Sequence, residues 1–123
     1  MVSTMSDFVR KKINGNEYVF INSFRGNRSG FVHETELYKN DYNIGWNKVQ
    51  YYNRTWESYT YQSVMKGLVS ALMESHLDEY KNAWKEEHGI KRLTESKRKI
   101  MQEELQKNPP AEYLELKELY AML

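Results

Sequence analysis

The chain has 123 residues, a net charge of +1, 40% apolar and 14% aromatic residues, and no cysteine. A chain of this length is one domain by default, here read as a sheet part at about 14–53 and a helical part at about 54–123. The near-neutral charge gives weak steering toward nucleic acid, and the lack of cysteine excludes disulfides, thiolate catalysis and zinc–sulfur sites.

The N-terminal stretch MVSTMSDFVRKK has no apolar run of signal-peptide length and reads as a flexible lead-in to a soluble, cytosolic protein. Next, Asn14-Gly15 precedes the aromatic and β-branched run Tyr18-Val19-Phe20-Ile21, the pattern of a turn feeding a strand. The segment GFVHETELY then alternates. Phe31, His33, Thr35 and Leu37 fall on one side, and Val32, Glu34, Glu36 and Tyr38 on the other. KNDYNIG is a turn cluster, and GWNKVQYY alternates again. Three or four antiparallel strands are expected from this half.

The period changes after Asn53. Tyr61, Val64 or Met65, Leu68, Ala71 or Leu72, Ser75, Leu77, Tyr80 and Trp84 recur in steps of three and four, which predicts a long amphipathic helix. Asn53 or Thr55 suits its N-cap and Gly89 its C′ position. Gly67 costs about 1 kcal/mol against alanine within a helix, which predicts close packing or a bend there. Thr94 can cap a second helix that ends before Pro109-Pro110, and AEYLELKELYAML supplies a short terminal helix. The predicted fold class is therefore α+β: a small N-terminal antiparallel sheet followed by two long helices and a short one.

Three segments carry more charge or more aromatic surface than folding requires. SFRGNRSGF (residues 23–31) gathers Arg25, Asn27 and Arg28 with two glycines. Glycine lets backbone N–H groups approach an anion, and paired guanidinium groups fork onto phosphate oxygens. The plainer reading is a solvated hairpin loop. QYYNRTWESYTYQ (residues 50–62) places Asn53, Arg54 and Trp56 among tyrosines at a predicted helix N-terminus, where N–H donors and the dipole favour anions. Its aromatics equally suit the core. KRLTESKRK (residues 91–99) holds five positive charges in nine residues, with Arg92 and Thr94 beside the predicted second helix. Those charges read either as a partner site or as a solvated helical face.

Catalytic signatures are poor. His33, His76 and His88 lack metal-ligand spacing, and no nucleophile elbow or strand-end carboxylate pair is present. The expectation is a protein that is not an enzyme and uses no cofactor.

The phrases FRGNRSGFVHETELY and KVQYYNRTWESYTYQSVM, with the helical tail, resemble the Thoeris anti-defence 1 family of bacteriophage proteins over about residues 14–100. The resemblance rests on element order and on the Asn53–Glu57 segment. It implies a phage protein in the host bacterial cytoplasm that sequesters a cyclic ADP-ribose isomer without cleaving it. It also implies a homo-oligomer, dimer or higher, with pockets shared between chains and a separate site for cyclic oligonucleotides in some members. On the chemistry of such a ligand, Arg25, Asn27, Arg28, Asn53, Arg54, Trp56, Arg92 and Thr94 are the candidate binding residues. The competing expectation is a phage inhibitor that binds a host defence protein such as a CRISPR nuclease. A nucleic-acid-binding accessory protein using residues 91–99 is a third.

Overall fold

A computed structural model describes residues 3–27, 30–52 and 61–123, with side chains for 7–26, 30–50 and 62–123. Four strands come first: β1 (Ser3–Ile13), β2 (Asn16–Asn27), β3 (Gly30–Lys39) and β4 (Tyr42–Tyr52). They form one antiparallel sheet in the order β1-β2-β3-β4. Three helices follow: α1 (Tyr61–Glu87), α2 (Glu95–Lys107) and α3 (Ala111–Met122). The α+β class is as expected. The helix lengths are not, because α1 has 27 residues while α2 and α3 have 13 and 12.

From Ser3 onward, the lead-in expected at residues 1–12 is instead the edge strand β1, which pairs with β2 from Ser3↔Gly26 to Ile13↔Asn16. Arg10, Lys11 and Lys12 hid its signal. Charged side chains are a common way to blunt a sheet edge. Asn14-Gly15 makes the tight turn, with φ of 51° and 81°. The second tight turn is Asn40-Asp41, at φ 49° and 71°. The rest of the expected turn cluster, from Tyr42 onward, belongs to β4. Two left-handed residues match the twist of a hairpin, and Asn, Asp and Gly tolerate that conformation best.

Alternation along the strands puts Phe20, Leu37 and Tyr18 on the helix side, where they are buried. Val64, Met65, Leu68 and Val69 of α1 and Leu116 and Leu119 of α3 are buried as well. Most of these residues join Ile13 in one apolar cluster. The close approach of α1 to β4 depends on Gly45. A Cβ there would lie 3.2 Å from Leu68 Cδ1 and 3.3 Å from Leu72 Cδ2. Register shifts beside Leu37/Tyr38, so Ile44, next to Gly45, also packs on the core. Close packing does not require Gly67. Among the described residues a Cβ there would meet Asn47 Nδ2, at the ordinary contact distance of 3.6 Å.

α1 ends as the sequence predicts. Gly89 takes φ 64°, its N–H donates to Glu86 O at 3.2 Å, and Ile90 N–H donates to Lys85 O at 2.8 Å. That pair of bonds is a Schellman motif, and glycine adopts its left-handed C′ residue without strain. Thr94 caps α2 by accepting from Lys97 N–H at 3.4 Å. α2 meets α1 through buried Trp84, whose Nε1–H donates to Glu104 Oε2 at 2.6 Å. No helix among the described residues is long and apolar enough to cross a membrane.

Candidate functional site

The helices lie on one face of the sheet, and no described helix packs on the other. One row across that open face reads Phe8, Ile21, Glu36, Trp46. Phe8 is 56% exposed and Trp46 63% exposed, although both are large apolar side chains. The neighbouring rows add charge. Arg25 Nη2 reaches Glu34 Oε1 at 2.8 Å, and Arg10 Nη1 reaches Glu17 Oε1 at 3.5 Å. Lys48 stands opposite Glu34 in the register. Exposed ion pairs of this kind contribute at most about 1 kcal/mol, so either arginine can leave its partner for a better anion at little cost. Flat aromatic rings and guanidinium groups on one sheet face are the elements of a stacking site for a nucleobase and its phosphates.

Arg25 is thus a strand residue of this face and not part of a loop. β2 runs on to Asn27, which pairs with Gly30. Polar Asn22 and Ser23 interrupted the apolar pattern and hid that extension. Arg28 and the Asn53, Arg54 and Trp56 segment lie outside the described residues, as does the expected cap at Asn53 or Thr55. Asn27 is described in its backbone alone. Arg92 is exposed in the connection between α1 and α2, and the hydroxyl of Thr94 serves the α2 cap.

Arg25 and Arg92 cannot meet within one chain. α1 starts against the Arg25 end of the sheet, where Asn22 Nδ2 contacts Met65 Sδ. From Met65 to its end at Glu87, α1 runs roughly 33 Å at 1.5 Å per residue. Arg92 follows that far end. Phe8 carries no sequence signal of a site, because it falls in a stretch without strand alternation. Trp46 had a usable signal, since the alternation of β4 placed it with Lys48 and Gln50 on the exposed side.

Under the start of α1 the sheet is polar where a core is expected. Asn22, Thr35 and Asn47 form one row across β2, β3 and β4, with His33 in the next row. Asn22, His33 and Thr35 are fully buried. His33 Nε2 lies 2.7 Å from Asn22 Oδ1. An amide oxygen only accepts, so His33 carries its proton on Nε2. Its ring also stacks on Phe24, with centroids 4.3 Å apart. Burial pushes the His33 pKa down to about 4. Hydrogen-bonded to Asn22 and stacked on Phe24, buried His33 fits a structural role. Asn47 Nδ2–H donates to Val64 O at 3.3 Å, tying β4 to α1.

Thr35 Oγ1 is buried without a hydrogen-bond partner among the described residues. An unpaired buried hydroxyl costs stability. Thr35→Val should therefore raise the unfolding free energy by about 1 kcal/mol in urea titration. A loss of similar size would mean that the hydroxyl is satisfied.

At the opposite end of the sheet, Tyr18 O–H donates to Glu115 Oε1 at 2.8 Å and Asn16 Nδ2–H donates to the same oxygen at 2.7 Å. Burial and then the Glu115 bond raise the Tyr18 pKa above its ordinary value. Burial alone would raise the Glu115 carboxyl. The bonds from Asn16 and Tyr18, with Lys39 nearby, reverse that and hold it lower. This clasp fixes α3 to the sheet across 97 residues of sequence separation.

Among the described residues, no group of three or more His, Cys, Asp and Glu is arranged to hold a metal ion. His76 and His88 are not neighbours, since α1 is unbroken between Tyr61 and Glu87 and His88 stacks on Trp84. What the described residues do offer is an open aromatic and cationic surface on a rigid sheet. No protein-family model, curated protein or solved structure matches the chain.

Proposed function

We propose that the chain binds and sequesters a cyclic nucleotide immune signal, of the cyclic ADP-ribose kind, without cleaving it, and so acts as a phage anti-defence protein. The observation that carries this reading is the open sheet face, which exposed Phe8 and Trp46 share with Arg25, Arg10 and Lys48. An adenine stacks on an aromatic ring, and phosphates take charge-assisted bonds worth about 1.5–3 kcal/mol each. Sequestration requires affinity and no turnover, so it needs no catalytic set. A homo-oligomer would add affinity by closing a second surface over the ligand.

Trp46→Ala removes a side chain that is 63% exposed and makes little of the core. It should weaken binding of the nucleotide at least about fivefold by calorimetry, since base–aromatic stacking is worth about 1–3 kcal/mol. Its melting temperature should stay within a few degrees of the parent. Equal affinity for parent and variant would move the ligand off this face.

The same exposed rings favour a second reading, an inhibitor that docks on a host defence protein such as a CRISPR nuclease. Aromatic residues are enriched at such interfaces. In that case calorimetry with nucleotides gives no heat, and Trp46→Ala releases a captured host protein instead.

A further inference from the structure

We propose that the cleft between the Tyr18 end of the sheet and helices α1 and α3 binds a small apolar zwitterion, of the kind an apolar α-amino acid represents. This site lies on the helix side of the sheet, away from the open face, and does not depend on the function proposed above. Its volume of about 350 Å³ falls within the range of small-molecule pockets, ~300–1,000 Å³.

The walls differ in kind. The floor is apolar, made by Ile44 of β4, Leu72 of α1, Leu116 of α3 and the ring of Tyr18. The sheet wall carries one cation, Lys39, whose Nζ stands 5.8 Å from the Tyr18 ring centroid. The helix wall carries Glu79 and Glu112 with His76 between them, at 3.9 and 3.4 Å from His76 Nδ1. Glu79 and Glu112 are 79% and 65% exposed, so they stand at the rim. An apolar floor lined at its edge by a cation and by carboxylates matches a ligand with an apolar body and two opposite charges. Its carboxylate would pair with Lys39. Its ammonium would pair with Glu79 and Glu112 through the carboxylate oxygens that do not face His76, with three N–H donors to offer. A plain anion would meet the two glutamates, and a plain cation would meet Lys39, so each half alone is disfavoured.

The fold supplies what such a site needs. Tyr18 is held by Glu115 and the floor residues belong to the core or pack on it, so the cleft is formed before any ligand arrives. A preformed site loses little affinity to ordering.

The test is calorimetric titration of the full chain with L-phenylalanine and two truncated probes, phenethylamine and hydrocinnamate. L-Phenylalanine should bind saturably with Kd below about 1 mM, and each truncated probe should bind at least tenfold more weakly. Lys39→Met should abolish the advantage over phenethylamine, and Glu112→Gln the advantage over hydrocinnamate. Ser75→Phe, at the edge of the cleft, leaves every charge in place and should block all three. It also keeps the test open if a charge variant fails to fold. The proposal is overturned by no saturable binding of L-phenylalanine or L-leucine to the parent. It is equally overturned if phenethylamine or hydrocinnamate binds as tightly as L-phenylalanine, or if Ser75→Phe binds like the parent.

Discussion

At pH 4 the fold should be roughly 3 kcal/mol less stable than at pH 7 through His33 alone. His33 is neutral in the folded protein because burial lowers its pKa to about 4, against 6.5 for an unburied histidine. The unfolded chain therefore takes up the proton first as pH falls. The stability that neutral His33 confers is complete above pH 6.5 and drains away between 6.5 and 4. One unit of pKa difference corresponds to about 1.4 kcal/mol, which sets the size of the loss. Carboxylates titrate in the same range, so the measurement is a difference. Urea unfolding at pH 7 and pH 4 should show a pH-dependent loss in the parent that is roughly 3 kcal/mol larger than in His33→Phe. An NMR titration of the His33 ring in the parent gives a direct second readout, with its midpoint expected near 4. A midpoint near 6.5 would mean that water reaches the ring.

Leu119→Ala should cost about 3 kcal/mol, within the range of 2–5 for leucine truncation in a core. Leu119 is fully buried on α3, beyond Pro109-Pro110, and belongs to the same cluster as Phe20 and Leu37 of the sheet. The whole sheet should lose stability with it in a single urea transition, with an unchanged denaturant slope. A loss below about 1 kcal/mol, or two separate transitions, would make α3 an appendage instead of a structural wall. The cleft depends on the same point, since Glu112 and Leu116 reach it only while α3 is docked.

What could be read from the sequence was local. Asn14-Gly15 marked its hairpin, the alternation of β3 separated His33, Thr35 and Leu37 from their neighbours, and Gly89 and Thr94 marked helix ends. Each of these signals lies within a few residues of its effect. β1 was missed because an edge strand buries one face at most and this one carries three consecutive basic residues. The candidate site was hidden for a different reason. Arg25 looked like a free loop cation, but its partner Glu34 is fixed by the register of β2 against β3. Phe8 and Trp46 align only once four strands are in register. The cleft joins residues 18, 39, 76 and 112, which no local pattern links.

The most direct test of the central claim is calorimetric titration of the purified protein with a panel of cyclic nucleotide signals that includes cyclic ADP-ribose isomers, followed by heat denaturation of the complex and recovery of the ligand. Tight binding of at least one member is expected, with the ligand recovered intact. Ligand recovered as a cleavage product, or no binding across the panel, would contradict the claim.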